Sequence, residues 1–180
     1  MLNSRIVCST LLIISLFSTS LMAQQKVEDH SIYMEAVLQA AQKNAEATKN
    51  LDPEGVMVFT HPAVITGMGG KENFKKMLTD ALNSMKSNGF IIEAMEVGKP
   101  YSFVWEQDEL RCLVPITGIF NIGEAKVKSS SHLLGFSMDK GQTWYFLEAD
   151  KLKSGQIVQM MPEFSTSIQI PDDVQEMIVE

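Results

Sequence analysis

Apolar residues recur every third or fourth position through the first half of this chain and every second position through most of the second half. Met34, Val37, Leu38, Ala41 and Ala45 share one helical face, which predicts a helix over 31–50 whose alanines permit close packing. Polar residues then stand directly before prolines in Asp52-Pro53 and His61-Pro62. A side chain that accepts a backbone N–H, followed by a ring that presets φ, starts a helix, so short helices are predicted around 56–59 and 63–65. Phe74, Met77, Leu78, Ala81, Leu82 and Met85 form an unbroken apolar stripe, and Asn88-Gly89 supplies the left-handed stop after it. Beyond Gly89 the period falls to two, over 90–97, 101–105, 109–120, 125–136 and 143–149. Gly98-Lys99-Pro100, Glu106-Gln107-Asp108 and Asn121-Ile122-Gly123-Glu124 separate the first four as turns. Helices followed by consecutive hairpins predict an α+β fold, with N-terminal helices laid on an antiparallel sheet.

The last separator reads Ser137-Met138-Asp139-Lys140-Gly141-Gln142-Thr143-Trp144, an S-x-D-x-G-x-T-W pattern that resembles the Asp-box turn of bacterial sialidases. Asp139 can accept nearby backbone N–H groups, Gly141 can take a positive φ, and Trp144 anchors the outgoing strand. The resemblance stops at the turn. A propeller glycosidase needs several blades and a cluster of arginines, and this chain has one box and few arginines, so the turn is read as structural.

Pairing the strands symmetrically about their turns sorts the side chains into two faces. One carries Leu110, Cys112, Val114, Ile116 and Phe120 with Ser129, Ser131, Leu133, Trp144, Phe146 and Glu148, and is predicted to lie beneath the helices. The other mixes Arg111, Leu113, Thr117 and Ile119 with Lys128, Ser130, His132, Leu134, Phe136, Tyr145 and Leu147. It is too apolar to be fully solvated, so a second subunit, making a homodimer through the sheet, or the C-terminal tail is expected over part of it. That tail, 151–180, is interrupted by Pro162 and Pro171 and is acidic at Asp172, Asp173 and Glu176. It is expected either to dock on the sheet or to be mobile.

Charge and compartment narrow the partners. Residues 1–23 have the build of a secretory signal, with Arg5 before the apolar Leu11-Leu12-Ile13-Ile14 run and a cut expected after Ala23. The protein is therefore expected outside the inner membrane, periplasmic or extracellular, with no stable membrane insertion of the mature chain. The remainder, 24–180, suits one domain, assigned to 24–150 with the tail following. The net charge of −7 and the absence of any Lys/Arg cluster exclude nucleic acid. Loss of the signal leaves Cys112 as the single cysteine, a small hydrophobe among Leu110, Val114 and Ile116.

The helix order, Thr60-His61-Pro62, Gly69-Gly70-Lys71-Glu72 leading into the long helix, and the closing Trp144-Tyr145-Phe146 resemble the nuclear-transport-factor-2-like superfamily across about 27–149. Such a resemblance implies a cystatin-like cone, a strongly curved sheet wrapped around one long and two shorter helices. The same segments are similar to small exported proteins of Bacteroidetes-type bacteria that have no assigned activity. The superfamily includes isomerases, dehydratases and non-catalytic binding modules, so the resemblance leaves function to the residues.

Those residues favour binding over catalysis. An isomerase of the ketosteroid type requires a carboxylate base in the cone and a hydrogen-bond donor for the oxyanion. Glu148 and His61 are the candidate bases, yet no donor pair accompanies Glu148, and capping explains His61. If the cone holds a ligand, Ser129, Ser131, Trp144 and Glu148 are the residues expected to line it. His30, His61 and His132 are far apart and show no metal-ligand spacing, so neither metal nor cofactor is expected. Gly67-Met68-Gly69-Gly70-Lys71 lacks the spacing of a nucleotide loop and reads as helix entry. The reading is an exported, non-enzymatic module for a small apolar ligand or an envelope protein, with a small isomerase or lyase as the alternative.

Overall fold

Four helices precede the sheet in this computed structural model, which describes residues 30–178. The export segment expected at 1–23 lies outside the described residues. Helix α1 (Ser31–Lys49) turns its Val37, Ala41 and Ala45 face inward. Helices α2 (Pro53–Val58) and α3 (Pro62–Gly67) start where the two X-Pro pairs predict. The Asp52 carboxylate accepts the Glu54 N–H at 3.1 Å, and His61 Nδ1 accepts the Ala63 N–H at 3.2 Å. Helix α4 (Lys71–Ser87) ends at Gly89, whose φ is +74°. Its stripe is less buried than its periodicity predicts: Phe74 and Leu82 are covered, whereas Met77 and Ala81 are exposed. The cause is that, among the described residues, α4 rests mainly on α2, α3 and the first strand of the sheet.

The strands are β1 (Phe90–Val97), β2 (Tyr101–Glu106), β3 (Glu109–Ile122), β4 (Ala125–Ser137), β5 (Tyr145–Glu148) and β6 (Val174–Ile178). All pairings are antiparallel, with β3 and β4 as the long central pair. Strands β1 and β2 share the outer edge of β3, and β5 and β6 share the outer edge of β4. Register shifts in β1 and β2 mark β-bulges, which bend a sheet, and the helices followed by an antiparallel sheet make the α+β fold that the element order predicts, bent as the resemblance implies.

The observed register pairs Ile116 with Ser131, Val114 with Leu133, and Leu133 with Glu148. The two faces are therefore those the sequence predicts. Beneath α1 the inner face is filled: Val37, Ala41, Leu110, Cys112 and Val114 have no exposed surface, and Trp144 and Phe146 complete the cluster. Asp139 accepts Gln142 N–H, Thr143 N–H and the Ser137 hydroxyl, and Trp144 Nε1 donates to Gly141 O at 3.0 Å. The Asp-box segment is thus a hydrogen-bonded turn that locks the tryptophan into the core.

The outer face is covered by the chain's own C-terminal segment. After α5 (Asp150–Lys153) and α6 (Gln156–Met160), Phe164, Ile168 and Ile170 pack on Leu113, Leu134 and Phe136, and β6 then pairs with the 126–130 stretch of β4. The apolar surface that suggested a second subunit is thereby buried within the chain.

Candidate functional site

The residues expected to line the cone are not brought together around a space. Trp144 is 2% exposed and is part of the packed core. Glu148, at the end of β5, has 66% of its side chain in solvent and pairs with Lys151 at 3.2 Å. Ser129 and Ser131 are half-buried on β4, where their neighbours across the strands are Gly118 and Ile116. A carboxylate base inside the cone is therefore missing from this set, because a strand-end position carried Glu148 out to water. His132 is half-buried on the outer face, edge-on to Tyr101, and does not meet His61.

The built site lies on the other side of the sheet, at the β2–β3 hairpin. Gln107 and Asp108 both have positive φ, 51° and 63°, so the hairpin closes through a two-residue turn of the type that matches strand twist. This sets Glu106 directly opposite Glu109. Like charges at a closing pair repel. Arg111, two residues beyond Glu109 and hence on the same face, lies between them and answers both.

Arg111 is 1% exposed and uses every N–H that a guanidinium has. Nε and Nη2 donate to Glu109 Oε2 at 3.0 and 2.8 Å, and Nη2 also donates to Gln107 Oε1 at 2.8 Å. Nη1 donates to Glu106 Oε2 at 3.3 Å and to the Ser165 carbonyl at 2.6 Å. The guanidinium carbon lies 4.6 Å from the Phe164 ring centroid and 5.6 Å from that of Phe136, within cation–π range. Burial pushes the Glu109 carboxyl up, but hydrogen bonds from His61 and Arg111 outweigh it and hold the group below the usual carboxylate range. Glu106 behaves alike: burial is overcome by bonds from Ser167 and Thr166 and by the charge of Arg111.

His61 closes the network. Nδ1 accepts the Ala63 N–H, so the ring proton resides on Nε2, which donates to Glu109 Oε1 at 3.0 Å. Both nitrogens are occupied by the protein. Phe136 stands edge-on to the ring with centroids 4.8 Å apart.

Beside this network is a cavity of about 470 Å³, lined by Ala63 of α3, the hairpin residues Gln107, Glu109 and Arg111, and the 160–164 segment that leaves α6. Gly67 lets α6 approach: a β-carbon there would sit 2.9 Å from the Met160 carbonyl oxygen. Sequence reasoning placed Arg111 on the correct face but passed over its role, because Glu106 and Glu109 were read as turn and strand ends. The available signal was chemical, since acids flanking a two-residue turn require a cation, and Arg111 is the only arginine after Arg5. Among the described residues no group of three or more His, Cys, Asp or Glu is placed to hold a metal ion, and no helix is long and apolar enough to cross a membrane.

No family model and no curated protein matches the chain. Solved structures similar to it include an LEH-like epoxide hydrolase of M. tuberculosis, at 18% identity and a TM-score of 0.34, matched over 72% of this chain and 98% of that one. Another is a nuclear-transport-factor-2-like protein of unknown function from Burkholderia pseudomallei, at 13% identity and a TM-score of 0.31, over 71% and 98%. At these scores neither carries an argument about activity or ligand.

Proposed function

We propose that this chain is an exported, non-enzymatic binding module whose ligand occupies the outer-face cavity between the β2–β3 hairpin and the 160–164 segment. One observation carries the reading: a cavity of drug-like size is walled by Met160, Met161, Phe164 and Ala63, while its charged neighbours have committed their protons to the protein. Arg111 has no N–H left for an oxyanion, and His61 has neither a free lone pair nor a free proton. Neither group is therefore placed to move a proton. A recess whose arginine and histidine are already engaged by the protein favours recognition over reaction.

Export rests on the 1–23 pattern and on the segments that resemble exported proteins of Bacteroidetes-type bacteria. The test of export is fractionation of the native organism with N-terminal sequencing; a chain that begins at Gln24 outside the cytoplasm supports it, and a full-length cytoplasmic chain refutes it. The test of binding is a thermal-shift screen of the mature protein against a metabolite library, repeated on Phe164→Ala. Stabilisation that the variant loses supports the site. Turnover of any library compound that His61→Gln or Glu109→Gln abolishes overturns the non-enzymatic reading.

A further inference from the structure

We infer that the outer-face cavity selects an organic cation, a small ammonium with an apolar arm, and rejects anions of the same shape; this rests on the binding reading above. The argument is a count of unused hydrogen-bonding capacity. All five Arg111 N–H groups end on Glu106, Glu109, Gln107 and the Ser165 carbonyl, so an incoming carboxylate or phosphate finds no guanidinium donor. Gln107 Nε2 donates to the Glu163 carbonyl at 2.7 Å and is used as well. What remains is acceptor capacity. Glu109 Oε1 holds one bond, from His61, where a carboxylate oxygen accepts two. Glu163 adds a carboxylate at the exposed rim.

Charge points the same way. Two carboxylates, Glu106 and Glu109, pair with a single guanidinium, Glu163 adds another at the cavity rim, and His61 Nδ1 accepts the Ala63 N–H. The local field is negative and partly screened from water, which strengthens it for a cation and opposes an anion. An ammonium brings three donors and no acceptor, the complement of this wall. Its apolar arm meets Met160, Met161 and Phe164, and the flexible thioethers adapt to an arm of variable shape.

The experiment uses three probes with one apolar arm: hexylammonium, hexan-1-ol and hexanoate. Each is titrated into the mature protein labelled with ¹³C at its methionine methyls, and the Met160 and Met161 signals report occupancy at the site itself. The expected result is that hexylammonium binds about tenfold or more tightly than hexan-1-ol, since both can donate to the carboxylate but only the ammonium adds its charge to the bond. Hexanoate leaves both signals unmoved. Glu163→Gln, an exposed change that leaves the buried network intact, weakens the ammonium severalfold and leaves the alcohol unchanged. If the alcohol matches the ammonium, or hexanoate binds as well, the cation proposal falls while the binding site stands. If none of the probes moves Met160 or Met161, the proposal and the site fall together.

Discussion

Replacing Arg111 by methionine isolates what the hairpin network contributes, because the new side chain keeps much of the length and apolar stem while removing all five donors. The wild-type guanidinium is 1% exposed, and its partners Glu106 and Glu109 have only 19% and 13% of their side chains in solvent. Removing the cation leaves two largely buried carboxylates opposite each other across a hairpin. Breaking a buried ion pair from one side costs about 3–5 kcal/mol, chiefly through the uncompensated charge left behind. For a chain of this length that lowers Tm by at least about 6 °C. Urea unfolding followed by tryptophan fluorescence measures it. The pH dependence separates charge from packing. In the variant both carboxyl groups lose the lowering that Arg111 supplies and shift upward, so the part of the penalty due to charge is present at pH 7 and fades as protonation sets in at lower pH. Arg111→Met combined with Glu106→Gln and Glu109→Gln recovers part of the loss at neutral pH for the same reason. A loss below about 1 kcal/mol, the range of exposed pairs, or one equal at pH 7 and pH 4.5, refutes the claim that Arg111 is an electrostatic keystone.

Three further outcomes follow from other contacts. In the wild type Glu106 and Glu109 are both held below the unfolded carboxylate value, so their contribution is present above about pH 4.5 and is lost as pH falls through their folded values; acid titration of the urea midpoint shows a decline there that Glu106→Gln makes shallower. Gly141→Ala places a β-carbon 2.3 Å from Tyr33 Cδ1 at a residue whose φ is +86°, and is expected to destabilise by about 1–3 kcal/mol in the same assay. Cys112 is fully buried and its thiol is pushed far up by desolvation, so a disulfide reagent at pH 8 is expected to label it only at the rate of unfolding; rapid labelling of the native chain contradicts this.

Much of the fold was legible because its elements are local. The helix starts at Pro53 and Pro62 are written in two dipeptides, and the sheet register follows from turn positions and alternation, so Cys112, Val114 and Leu133 could be placed on one face before any coordinates. Less was legible where burial depends on what arrives from elsewhere. The α4 stripe has the right period, yet Met77 remains exposed, because among the described residues the main contacts of α4 are with α2, α3 and β1. Strand β6 is the opposite case. Its residues are almost all exposed and carry no strong alternation, and they are extended because the edge of β4 at 126–130 offers them backbone partners. The site was missed for a related reason: Glu106, Glu109 and Arg111 are close in sequence, but their meaning appears only once the tail delivers Ser165 and Phe164 to them.

The filled cone and the outer cavity have a common origin. Alanines at 41 and 45 bring α1 close to the sheet, and the Asp-box turn drives Trp144 into the same packed cluster. The sheet's outer face is then apolar at Leu113, Leu134 and Phe136 and must be covered by something. The tail does so: Met160 and Met161 pack beside α3, and Arg111, Glu106 and Gln107 then bind 163–167. The cavity lies between this segment and the hairpin. A ligand seated there touches the strap and the hairpin at once, so it stabilises the docked tail by its own binding free energy. By the same linkage, a change that loosens the tail weakens the ligand.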